Sequence, residues 1–162
     1  MRRSWRPLVR WLVAALVWLP SVAHAQGTPT ITVTGMRGLL FGTLIPGVQA
    51  PVQPTDVARA AWFDVRAAPS SQLQLVLALP LALQHHSTAE VPLRYGPAAA
   101  AYSITSSTAD AIAFDPAIPF TVTLPASGRV QVYLGATALP PVHATAGRYT
   151  AVITLTAAAV GN

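Results

Sequence analysis

The chain has 162 residues, 52% of them hydrophobic, with ten basic and five acidic side chains and no cysteine. Four of the ten basic residues fall within the first ten positions, so the remainder sets six arginines against five acids, a side-chain balance of +1. That balance, without a basic run, excludes a nucleic-acid surface built on charge, and the lack of cysteine excludes disulfide stapling.

The first segment reads as a targeting signal. Arg2, Arg3, Arg6 and Arg10 form a basic start, and residues 11–19, WLVAALVWL, form an apolar stretch too short to span a bilayer as a helix. PSVAHA follows, with Ala23 and Ala25 in the small-x-small pattern of a cleavage site. The pattern predicts a signal peptide over residues 1–25 and export through the general secretory route. It leaves residues 26–162 as one domain with no membrane span after cleavage.

Along residues 26–162 the apolar pattern has period two, and no stretch keeps a helical period. Residues 30–34, TITVT, put Ile31 and Val33 on one side. Residues 39–45, LLFGTLI, form a second apolar run, with Gly42 marking a bulge or a close backbone approach. Residues 46–55 read as a loop. In residues 60–66, Ala61, Phe63 and Val65 face inward, while Trp62, Asp64 and Arg66 face outward. Residues 72–79 carry Leu73, Leu75, Leu77 and Leu79 on one face, the clearest alternation in the chain. Residues 81–97 are less regular, and short strands are predicted near 101–105 and 111–114. Phe120, Val122 and Leu124 precede a PASG turn, and Val130, Val132 and Leu134 follow it. A loop over residues 135–147 leads to the last strong strand, AGRYTAVITLT. There Tyr149, Ala151, Ile153 and Leu155 share one face, and Thr150, Val152, Thr154 and Thr156 share the other. Thirteen of the fifteen prolines lie beyond Ala25 and divide the chain into short pieces. Eight or nine short strands with frequent turns predict an all-β sandwich or barrel.

No set of residues points to catalysis. His85 and His86 are adjacent and alternate in direction on a strand, and His143 lies far along the chain, so they make no three- or four-ligand metal site. No G-x-S-x-G elbow, phosphate loop or dinucleotide fingerprint occurs. Asp110 and Asp115 flank an apolar stretch, but Asp115-Pro116 reads as a turn starter. Asp64 and Arg66 read as a surface ion pair of little value. Trp62, on the same face, is either a binding aromatic or a covered one. The expectation is a non-enzymatic protein with no cofactor and no metal.

The pieces LLFGTLIPG, AWFDVRAAPSSQLQLVLALP, FDP and VTLPASGRVQVYLGATALPPVHATAGRYTAVITLT, in this order, carry a resemblance. Together they resemble bacterial secreted pilin-like domains, in particular an uncharacterised family related to spore coat protein U and to subunits of archaic chaperone–usher pili. The resemblance implies an immunoglobulin-like sandwich lacking its last strand. The chain would end on the strand that holds Tyr149, Ala151, Ile153 and Leu155, beside an open groove. A periplasmic chaperone would fill that groove during export, an usher would assemble the subunit, and a donor strand from a like or related subunit would replace the chaperone in a cell-surface fimbrium. The affinity in such exchange comes from backbone hydrogen bonds and the specificity from pockets for alternate side chains. The chain departs from spore coat protein U in having no cysteine. Pro29, Ile31, Val33 and Gly35 form a short donor face, or else Ile31 and Val33 belong to the first strand of the domain, with the second reading favoured. The rival to a pilin-like subunit is a free-standing secreted β-sandwich, a binding module or coat protein, closed within its own chain.

Overall fold

A computed structural model describes residues 30–161. The expected signal peptide and Pro29 lie outside the described residues. The described residues hold thirteen strands and no helix. In chain order these are β1 (Thr32–Arg37), β2 (Ala50–Val52), β3 (Ala61–Arg66), β4 (Gln72–Ala78), β5 (Ala82–His85), β6 (Glu90–Arg94) and β7 (Ala100–Ser103). They continue as β8 (Ile112–Phe114), β9 (Phe120–Thr123), β10 (Arg129–Leu134), β11 (Ala136–Ala138), β12 (Tyr149–Thr150) and β13 (Thr154–Ala159). All pairing is antiparallel.

The first sheet has the order β1-β3-β10-β7-β8, and a three-stranded sheet has the order β13-β4-β9. Their inner faces meet in the main core, built from the alternating residues that the sequence marks: Phe63 and Val65 on β3, Leu73 and Leu75 on β4, Val122 on β9, Val130 and Val132 on β10, and Leu155 on β13. Each fully buried aliphatic side chain of this kind contributes roughly 1.5–3 kcal/mol. The fold is therefore an all-β sandwich, as period two requires. Along one side of the sandwich Tyr102, Phe114 and Phe120 fill the gap between the sheets, with the two Phe ring centroids 3.8 Å apart. On the other side β1 and β13 are the edge strands, and no ladder joins them.

A further sheet, β12-β5-β6-β11-β2, holds a smaller core of Val91, Leu93 and Ala138 with Phe41, Leu44, Leu83 and Tyr149 packed on it. The chain passes from β10 in the first sheet to β11 in this one through the single residue Gly135. Four of these strands fall where the sequence reading has loops or irregular chain: β2, β5, β6 and β11. They are three to five residues long, too short to show a period.

Two expected strands differ in the structure. Residues 39–45 form no strand, because Leu39 packs on the main core whereas Phe41 and Leu44 pack on the smaller one. A regular strand cannot serve both, and Gly42, at a φ of 71°, breaks the extended backbone between Phe41 and Leu44. The last strand is split into β12 and β13, with residues 151–153 in no ladder, and it runs on through Ala159 rather than stopping at Thr156.

The outer face of the first sheet also corrects the sequence reading. Asp64 is only 5% exposed, and its carboxylate accepts hydrogen bonds from Arg66 Nε at 2.8 Å and from Arg129 Nε. This is a buried carboxylate held by two more exposed arginines rather than a simple surface pair. Burial pushes the Asp64 carboxyl up, but the hydrogen bonds and charges of Arg129 and Arg66 outweigh it and hold the group below the ordinary aspartate value. A depressed carboxylate contributes stability above its unfolded pKa and loses it as the pH falls through the folded one. Asp64→Asn should therefore cost about 2 kcal/mol at pH 7. Its melting temperature should also fall less steeply than that of the natural protein between neutral and strongly acid pH. Parallel melting curves for the two proteins across that range would contradict this assignment.

Candidate functional site: an apolar groove at the junction of the two cores

The open side of the sandwich is a groove of 1240 Å³. One wall is the end of β1 and the chain after it, Gly35 to Leu44. The other is the chain from Ala144 to Ala151, with Ile153. The floor comes from both cores, Ala61 and Phe63 from the main one and Leu83, Val91 and Leu93 from the smaller one. The groove thus runs across the junction of the two.

The backbone of both walls is available for pairing. A bulge between Gly35 and Arg37 ends the regular register of β1. Residues 38–44 then belong to no ladder, and of their amides only that of Leu40 bonds in a turn or loop, to the Arg59 carbonyl at 2.8 Å. Opposite them, residues 151–153 lie outside the ladders of both β12 and β13. Backbone amides and carbonyls at such edges need partners once water is excluded, and an added strand can supply them.

The second wall is held in place around His85. Tyr149 pairs with His85, their rings lie 5.1 Å apart, and the Tyr149 hydroxyl donates to the Thr145 carbonyl at 2.7 Å. His85 shares a 2.8 Å hydrogen bond between Nδ1 and Ser87 Oγ, and Gly147 packs directly on its ring. Its Nε2 has no partner among the described residues. His86 lies against it, with ring centroids 3.8 Å apart. Among the described residues no group of three or more His, Asp or Glu is placed to hold a metal ion. His85 is thus a buried strand-end residue, not the loop histidine of the sequence reading.

Of the residues singled out on the final strand, Tyr149, Ala151 and Ile153 line the groove, and Leu155 is buried in the main core. Val152, on the opposite face, is 81% exposed. Of the donor-face residues, Val33 and Gly35 lie in β1, paired with Val65 and Phe63, and Ile31 packs on the main core just ahead of it. Gly35 lines the groove as well. Asp110 accepts from Thr105 Oγ1 at 3.2 Å, and Asp115 accepts from the Ala117 amide at 2.9 Å as a turn starter. The sequence reading did not bring Leu83, Val91 and Leu93 to the groove, nor did it place residues 39–44 as a wall. The only signal for that wall was its apolar composition around Gly42.

The lining includes no acid, and two arginines. Arg37 is tied back to its own chain, donating to the Ala60 carbonyl at 3.0 Å and to the Val57 carbonyl. Of the lining, Met36 and Leu40 are exposed, and so are Ile45, Leu81 and Val152, each next in the chain to a lining residue. Among the described residues no helix is long and apolar enough to cross a membrane. No family model, no curated protein and no solved structure matches this chain.

Proposed function

We propose that this protein is a structural, non-enzymatic subunit that accepts a β-strand from another polypeptide in the groove between residues 35–44 and 144–153. The observation that carries this reading is the pairing of two features: an apolar floor drawn from both cores, and facing walls at residues 38–44 and 151–153 that stand outside every ladder. A small ligand needs a few polar groups to orient it. A strand docks through unpaired backbone and an apolar floor, and this groove has unladdered backbone on both walls and an apolar floor. The exposed apolar rim supports a protein occupant, because such surface is ordinarily covered in an assembly. Within this reading the protein is exported, held by a periplasmic chaperone, passed to an usher and joined to like or related subunits at the cell surface. Because Ile31 and Val33 are engaged with their own core, it acts as an acceptor of strands.

The free-standing secreted sandwich remains the second reading, favoured by one observation: β1 and β13 each have a partner strand in their own chain. Melting and size-exclusion chromatography of residues 26–162, with and without a short peptide alternating Val and Thr, separate the two. The strand-acceptor reading predicts a chain that aggregates or melts early alone. Bound peptide at a hundred times its Kd should add about 2.7 kcal/mol and raise the melting temperature by roughly 10 °C. A stable, cooperative monomer indifferent to the peptide would instead mean a self-contained domain.

A further inference from the structure

On the outer face of the first sheet two arginines stand where like charges repel. Arg66 on β3 and Arg129 on β10 are directly opposite in register. Asp64, two residues along the same face of β3, holds both. One carboxylate oxygen accepts from Arg66 Nε and the other from Arg129 Nε. A guanidinium has five N–H donors in a planar fork. Here each uses only Nε, and among the described residues no Nη of either arginine bonds to protein. The Asp64 side chain is 6% exposed, whereas those of Arg66 and Arg129 are 63% and 34% exposed. The carboxylate is inside, and both guanidinium side chains are more exposed than it is. Two arginines and one carboxylate leave the triad with a charge of +1.

The surroundings define the partner. Thr32 on β1 is in register with Arg66 on its other side, and Thr34 is in register with Asp64; both are exposed. Trp62, the next outward residue on β3, is half-buried. Two guanidinium forks with exposed hydroxyls beside them along one sheet face suit a charged sugar chain. We propose that Arg66 and Arg129, pre-oriented by Asp64, clamp a singly charged oxyanion of an acidic polysaccharide, a uronate carboxylate or a sulfate ester. This site is on the outside of the sandwich and does not depend on the groove.

The test is calorimetric titration of the purified protein with alginate, dextran sulfate, neutral dextran and phosphatidylglycerol vesicles. The proposal predicts binding of alginate or dextran sulfate but not of neutral dextran; which of the two binds identifies the anion. Arg66→Gln should weaken that binding at least about tenfold while the protein still melts cooperatively, and Arg66→Lys should fail to restore it because an ammonium has no fork. Arg94→Gln, at an exposed arginine on β6, should change it less than about twofold. Failure to bind either acidic polymer, equal losses at Arg66 and Arg94, or binding to the vesicles alone would overturn the proposal.

Discussion

Gly135→Ala should destabilise the protein by about 3 kcal/mol, read as a shift in the midpoint of chemical denaturation. Gly135 is the one residue between β10 in the first sheet and β11 in the next, and its amide donates to the Ala99 carbonyl at 2.8 Å, which fixes the bend. A Cβ at this position would overlap the carbonyl oxygen of Val52 and stand 2.8 Å from the nitrogen of Pro54. These are backbone atoms and no rotamer change removes them. Relief requires β2 to move off β11, breaking the register that pairs Ala136 with Val52. Gly96 gives the comparison, because a Cβ there meets nothing within 4 Å. Gly96→Ala should stay within about 0.5 kcal/mol of the natural protein. Equal effects at the two glycines would mean that the close approach at Gly135 does not hold the sheets together.

Leu155→Asp and Ile153→Asp should separate the core from the groove, although the two positions share one face of the last strand. Leu155 is 7% exposed and belongs to the main core, so a carboxylate there should cost about 4 kcal/mol or more and abolish cooperative unfolding. Ile153 is half-buried, packs against the main core and lines the groove. Ile153→Asp should keep the fold at a cost of about 1–2 kcal/mol, and should weaken the binding of an apolar-alternating peptide at least about tenfold by charging one of its pockets. Melting curves and peptide titrations on both variants check this. Peptide binding that survives Ile153→Asp would remove that residue from the acceptor site.

The sheet faces were legible wherever alternation ran long enough to be unambiguous. Leu73 and Leu75, Phe63 and Val65, and Val130 and Val132 all point where period two puts them, because a one-residue slip would send the whole set to solvent. The facing of Tyr149, Ala151, Ile153 and Leu155 was legible for the same reason. What did not show in the sequence depends on long-range pairing. The Asp64 triad looked like a weak surface pair because Arg129 lies 65 residues away and reaches it only through the pairing of β3 with β10. The apolar run at residues 39–45 looked like a strand because composition alone cannot tell one core from two. The break in the last strand at residues 151–153 leaves no trace in an unbroken alternation, since it reflects a change of partner from β5 to β4.

The central claim is that the backbone at residues 38–44 and 151–153 awaits a strand, and amide hydrogen exchange tests it most directly. Apart from that of Leu40, which is bonded to the Arg59 carbonyl, these amides should exchange quickly in the isolated protein, far faster than those of β3, β4 and β10, and become protected when an apolar-alternating peptide binds. Slow exchange of both segments in the isolated protein, or peptide binding that leaves them unprotected, would contradict the account.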